Sequence, residues 1–316
     1  MPDSPLVSVL VPAYNHAEFI ESCLDSIAAD SYPNLELLVL DDGSTDSTFN
    51  AAQEWVKGHS AQFVRTWVSR QVNRGVCATL NRLVAESRGD YLVMLASDDQ
   101  LEPRSIRARM EALLARPHWL AVMGIASVMN EEGLELAGNA MTALYRTDIA
   151  MLRHPGSISA EMILHWAVPG PVIMVRRGAF DPEMGVGQYD ERLAAEDRDF
   201  YLRLLARGGL GYIDVRVGRY RIHGSNLSRS GGASERLSDA LLNSCLKNLP
   251  LFTGASRLYL STYIAYAQAH KARQERPDVV SRMRHAMFRI LVEALLQGAR
   301  IGFRLRWFIE GLGRKS

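Results

Sequence analysis

The chain has 316 residues, 47% hydrophobic and 22% charged, which is enough for one large domain, or one domain with an appendage, around a real core. Its 36 basic and 35 acidic residues leave a net charge of +1 and no overall field that would attract nucleic acid. Three scattered cysteines, Cys23, Cys77 and Cys245, exclude a disulfide scaffold and a cysteine-bound zinc, and predict a reduced, cytoplasmic protein.

The N-terminus places Asp3 and two prolines before a short apolar run, so no signal peptide is expected. Val7–Val11 predicts a strand, and Glu18–Ala29, with Phe19, Ile20, Cys23, Leu24 and Ile27 at helical spacing, a helix. Glu36–Leu40 is a second strand, ending at Asp41-Asp42-Gly43-Ser44; Thr45 or Asp46 then caps a helix running towards Lys57. Phe63–Val68 is a third strand, Val76–Ser87 a helix, and Tyr91–Leu95 a fourth strand that ends at Ser97-Asp98-Asp99. Leu101–Ala115 is helical and Leu120–Met129 a fifth strand. This alternation predicts an α/β fold with a mostly parallel sheet and helices on both faces. Right-handed crossovers then bring the strand C-termini, and the polar clusters that follow them, to one crevice.

Beyond Asn130 the pattern changes. Gly133, Gly138 and Asn139 mark loops, Ile158–Trp166 a short helix, Val172–Val175 a strand, Glu196–Ala206 a helix and Tyr212–Val215 another strand; from Ala233 the signals are helical. No segment reaches the ~20 uninterrupted apolar residues of a membrane span.

Two carboxylates aimed from a strand end into a cleft are costly unless a positive group meets them. Asp98 and Asp99 form such a pair, and Ala96 and Ser97 before them leave room for a ligand. Mg²⁺ or Mn²⁺ would take one or two carboxylates and complete its shell with phosphate and water. The same pair can instead cap the helix that follows. Asp41 and Asp42 exceed what their turn requires, and one of them can accept a hydrogen bond from a base N–H such as N3 of uracil. Tyr14 offers a ring face for stacking, or is a plain half-buried aromatic.

Val-Pro-Ala-Tyr-Asn at 11–15, Asp-Asp-Gly-Ser-Thr-Asp at 41–46, Asn73-Arg74-Gly75, Leu95-Ala96-Ser97-Asp98-Asp99, the Ala195–Phe200 string and Tyr220–Ser228 stand in the order and approximate spacing of glycosyltransferase family 2. Each string alone is weak; six in order are specific. The chain therefore resembles that family of inverting enzymes with the Rossmann-like GT-A fold, over roughly residues 5–230. The resemblance implies a GT-A domain over 1–230, with a nucleotide-binding half (1–130) and an acceptor and catalytic half (131–230), followed by a helical C-terminal extension over 231–316. It implies transfer of a sugar from a nucleotide-diphosphate donor (UDP favoured, dTDP or GDP as alternatives) to a hydroxyl of a glycan or lipid-linked saccharide, with Mn²⁺ or Mg²⁺. Pro12, Ala13, Tyr14, Asn15 and Asp42 would line the nucleoside pocket beside Asn73, with Asp98 near ribose and metal. Asp99 would be the principal metal ligand and Asp197 the general base, with Glu196 and Asp199 as competitors. His223 would reach the metal or diphosphate, or else sit in a polar loop; Arg221 would contact phosphate or a neighbouring carboxylate. Many members carry an acidic residue where this chain has Ala96, so an inactive nucleotide-sugar-binding paralogue is an alternative reading. A sugar nucleotidyltransferase is a lesser one, because Pro12–Asn15 lacks a Gly-rich loop with Arg and Lys.

The last stretch interleaves Arg300, Arg304, Arg306, Arg314 and Lys315 with Ile301, Phe303, Leu305, Trp307, Phe308 and Ile309. That pattern suits a helix on an anionic membrane surface, here the inner face of the cell membrane. It equally suits a helix docked on the body or in a homodimer interface.

Overall fold

The computed structural model describes residues 4–165, 168–193, 197–224 and 233–313. The chain order is β1 (Val7–Ala13), α1 (Ile20–Ala28), β2 (Leu35–Asp41), α2 (Thr48–His59), β3 (Arg65–Arg70), α3 (Val76–Glu86), β4 (Tyr91–Met94), β5 (Gln100–Leu101) and α4 (Ser105–Ala115). It continues with β6 (Ala121–Met129), β7 (Glu135–Ala137), α5 (Ala140–Tyr145), α6 (Ile149–Leu152), α7 (Pro155–Leu164), β8 (Ile173–Arg176), α8 (Asp197–Ala206) and β9 (Leu210–Arg221). Three helices close it: α9 (Ala233–Asn248), α10 (Gly254–Glu275) and α11 (Val279–Gly313).

Among the described residues nine strands form one sheet, ordered β3-β2-β1-β4-β8-β6-β9-β5, with β7 paired to β6. The first four in that order run parallel, and β8 is antiparallel to both β4 and β6. The mostly parallel sheet expected from the alternation is present, with β8 reversed inside it and the short β5 and β7 antiparallel to their partners β9 and β6. Side chains alternate between two apolar cores. Val7, Val9, Val11, Leu37 and Val39 face α1, α2 and α4; Leu10, Leu38, Leu40 and Leu92 face α3 and α8. Burial on both faces explains why these strands read as unbroken apolar runs.

Three elements depart from the sequence reading. The helix expected from Leu101 starts at Ser105 instead, because Pro103 disfavours helical backbone before it and Arg104 adopts a left-handed φ of 63°. Leu101 itself pairs with Gly218 in β9. The strand expected over Tyr212–Val215 extends to Leu210–Arg221: its charged residues hide the alternation, and parallel pairing with β6 sets its length. The stretch read as loop after Gly133 contains β7 and α5, the latter capped by the Asn139 side chain.

The expected C-terminal helices are there, and they share the main core. Cys245, Phe252, Leu260 and Ile264 join the apolar cluster of Phe200 and Leu204. The long α11 packs along α10 and α7. Arg300 makes two hydrogen bonds to Glu161 on α7 (2.6 and 3.1 Å), and Arg304 reaches Asp148 at 2.9 Å. These two basic residues are engaged by the body. Side chains from Trp307 onward, including Phe308 and Ile309, and all of Arg314 and Lys315, lie outside the described residues, as does Trp166.

Candidate active site

The C-terminal tips of β1, β2 and β4 are neighbours in the sheet, so the loops after Ala13, Asp41 and Met94 meet at one edge. At the β2 tip the two aspartates divide. Asp41 Oδ1 accepts the Gly43 and Ser44 N–H groups and faces Arg70, which holds the turn. Asp42 turns outward to the next loop. Its Oδ1 accepts from Gln71 Nε2 (2.8 Å) and the Arg74 N–H (2.9 Å), and its Oδ2 from the Gly75 N–H (2.8 Å). A carboxylate offers about four acceptor positions, so one on Oδ2 is left over. Gly43 is required here: its φ is 81°, and a Cβ would come within 2.9 Å of the Asn73 nitrogen. The β1 tip is tied to the same turn. Asn15, left-handed at φ 53°, accepts the Thr45 N–H through Oδ1 (2.8 Å) and donates its own to Ser44 Oγ (2.9 Å). Ala13 is buried and accepts the Asp42 N–H (2.8 Å), Pro12 is half-buried, and Tyr14 stands 45% exposed. Pro12–Asn15, Asp42 and the Asn73 loop thus lie together at this edge.

At the β4 tip His16, Asp98 and His223 converge, each offering a ligand atom within 4.8 Å of the others. His223 Nε2 is 2.9 Å from Asp98 Oδ2, and His16 Nε2 is 3.8 Å from the same oxygen. Ser97 Oγ hydrogen-bonds His16 Nδ1 at 2.8 Å, which orients the ring with Nε2 inward. His223 is held by Phe19, 4.7 Å between ring centroids, and Phe19 in turn lies under the Arg221 guanidinium. Arg221 spends its donors on the carbonyls of Asp98, Asn130 and Glu131, and so braces the loop. A cavity of about 390 Å³ opens beside His223, between Asn130–Glu132 and Ile222–Gly224.

The two neighbouring carboxyls are pushed apart. Burial penalises charge on Asp98, but the His223 hydrogen bond and the His16 ring outweigh it and hold its pKa below the usual carboxylate range. Asp99 is buried deeper; burial, then the Asp98 charge, pushes its pKa well up. Its Oδ1 accepts the Arg221 N–H at 2.8 Å, and a side chain at Gly170 would bring a Cβ within 3.2 Å of Oδ2. Burial likewise lowers the pKa of His16 against the pull of Asp98. Two imidazoles and a carboxylate are a donor set that fits a divalent transition cation.

The chain then passes the Asn73–Gly75 loop. Asn81 pairs with the Tyr189 backbone, and both Asn81 and Arg74 reach Glu191. Asp197 follows at the first position of α8, where burial raises its pKa above the carboxylate norm. Arg198 anchors that end: fully buried, it donates to the Met162 and Ile163 carbonyls on α7 and lies over the Tyr263 ring. Asp199 is committed elsewhere, with Oδ2 on Arg203 and Oδ1 on Asn248 and Lys247. Glu196 and Ser225–Ser228 lie outside the described residues.

Sequence reading stopped at Asn15 and missed His16; its signal was position, one residue past a polar strand tip in the crevice. Gln71 carries no motif and gains its role through Asp42, and Ser97, read from the sequence only as a small residue before the aspartates, gains one through His16.

The sequence pattern of Glycosyl transferase family 2 matches residues 8–181. The chondroitin synthase of Escherichia coli is 29% identical over 226 residues, which are 71% of this chain and 30% of that protein. Among solved structures, Staphylococcus aureus TarS 1–349 in complex with UDP-GlcNAc superposes with a TM-score of 0.63 at 17% identity, covering 94% of this chain and 87% of that one. The mannosyltransferase PcManGT of Pyrobaculum calidifontis, in complex with GDP-Man and Mn²⁺, gives 0.60 at 21% identity over 95% and 87%. These likenesses establish the GT-A fold.

Proposed function

The chain belongs to glycosyltransferase family 2 and is a glycosyltransferase, and on that footing we propose that it transfers a sugar from a nucleotide-diphosphate donor to a glycan or lipid-linked hydroxyl with inversion. The observation that supports this reading is the meeting of the Pro12–Asn15, Asp42 and Asn73–Gly75 loops with the His16–Asp98–His223 cluster on one sheet edge. The open acceptor position on Asp42 suits a base that presents a ring N–H, as uracil, thymine and guanine do. UDP is favoured, with Tyr14 as the stacking face and Asn15 and Asn73 shaping the rim. Residues 1–230 would carry the reaction, with 1–130 holding the nucleotide and 131–230 the acceptor, and 231–316 would form a helical extension.

For the cation we assign Asp98, His16 and His223 as the holding residues, with Asp99 as a buried neighbour whose Oδ1 is already bonded to the Arg221 N–H. The two imidazoles favour Mn²⁺ over Mg²⁺, which prefers all-oxygen shells. Such a cation, when bound, neutralises charge on the leaving diphosphate. Asp197 takes the proton of the acceptor hydroxyl as its oxygen bonds to the anomeric carbon. The bond from that carbon to the diphosphate oxygen breaks with its electron pair on the leaving group. Its raised pKa suits this work, because a base poised nearer the operating pH transfers protons more effectively.

Titration calorimetry of UDP-sugars with and without Mn²⁺, followed by a UDP-release assay, tests the reading. Cation-dependent binding with release on adding an acceptor is expected; binding without release from any acceptor would instead identify an inactive paralogue.

A further inference from the structure

α11 has two apolar faces. One packs on α10 and α7 through His285, Leu296 and Phe303. The other carries Met283, Met287, Ile290, Ile301 and Leu305, each between 56% and 68% exposed. At 100° per residue these five fall within about 60° of one another, opposite the docked face. Exposed Ala294 and Gly298 fill the gap between them, so the stripe runs unbroken for about 33 Å. Solvent-exposed arginines stand beyond its edges: Arg284 on one side and Arg282 on the other, with Arg306 and Arg289 further round towards the docked face.

We infer that this outer face of α11 lies on an anionic lipid surface. The helix cannot cross one: among the described residues no helix is long and apolar enough. An apolar stripe bordered by arginines is instead the pattern of a helix lying in the interface, with the apolar side chains among the acyl chains and the guanidinium groups at the phosphates. Charge also discriminates against a second copy. From Val279 to Arg306 the helix has six arginines against Glu293. An antiparallel pair would set Arg282–Arg289 beside Arg300–Arg306, and a parallel pair would set like on like; neither offers the opposite-sign flanks that stabilise paired helices. The assignment differs from the sequence expectation in location. Arg300 and Arg304 hold the helix to the body, and the lipid-facing residues begin a turn after its N-terminus.

The inference stands apart from the proposed reaction but bears on the acceptor. α7 receives Arg300 from α11 and Arg198 from α8, so the helix that carries the lipid face is braced on the same element as the proposed base.

The test is co-sedimentation of the full chain with vesicles of phosphatidylcholine alone and of phosphatidylcholine with about one third phosphatidylglycerol. Binding to the anionic vesicles only, weakening as salt rises, is expected. Arg282→Gln, Arg284→Gln and Arg289→Gln together should weaken it about a hundred-fold, at roughly five-fold per arginine. Met287→Asp with Ile290→Asp should abolish it. All five positions are exposed, so the melting temperature should hold in both variants. Unchanged vesicle binding in either variant overturns the inference. So does a wild-type dimer that ignores vesicles and is split by Ile290→Asp.

Discussion

Asp42→Asn is the sharpest probe of the proposed nucleoside site. The native carboxylate accepts three N–H donors from Gln71, Arg74 and Gly75. An asparagine has one acceptor oxygen. Set where Oδ1 stands, it keeps two of those bonds, and its amide nitrogen then faces the Gly75 N–H across 2.8 Å, donor against donor. Flipping the amide is worse, because two donors are opposed instead of one. The change thus removes a charge-assisted bond and strands a backbone N–H, costing about 2–4 kcal/mol. The loss falls on the Asn73–Gly75 loop, which can open locally, more than on the global fold. A nucleotide that needs the ordered loop should bind roughly 30- to 900-fold more weakly. Calorimetry with the nucleotide that wild type binds best measures this, and a melt should show a small shift. Asp41→Asn, which strikes the turn beneath, should show the reverse balance. An Asp42→Asn variant that binds within about three-fold of wild type would refute the lock.

Asp197→Asn should fold and bind donor but lose nearly all turnover; because burial raises the Asp197 pKa, wild-type kcat/KM should fall on the acid side above the ordinary carboxylate range. His223→Ala and His16→Ala should each weaken Mn²⁺ binding by ten-fold or more, read by calorimetry without any sugar acceptor, and Asp99→Asn should do so less. On Glu161 burial penalises charge, but hydrogen bonds from His165, Arg300 and the Asp148 N–H outweigh it and depress its pKa. Its stabilisation is therefore full above the unfolded value of about 4.3 and lost as pH falls through the lower folded value. The melting temperature of wild type should drop across that window, and that of Glu161→Gln, lower at neutral pH, should drop less.

The sequence by itself determined the parts that depend on neighbours along the chain. The apolar runs of β1, β2 and β4, the amphipathic α1 and α3, and the aspartates at strand tips follow from periodicity and turn chemistry, and the rule that parallel strands share an edge placed them together. The tertiary structure decided what depends on partners far apart in sequence. Asp41 and Asp42 are equivalent until the Gln71–Gly75 loop folds over one of them. Asp98 and Asp99 separate once β9 brings the Arg221 N–H to one and His223 to the other, and His16 becomes part of the cluster when the β1 tip meets that strand. β8 enters the sheet reversed, and β9 outgrows its apolar signal, because ladder pairing with β6 outweighs local propensity. In α11 the helical period marks two apolar stripes alike; which one is buried was settled by the bonds of Arg300 and Arg304 to α7 and Asp148, since a helix shows both faces to a reader but can dock only one.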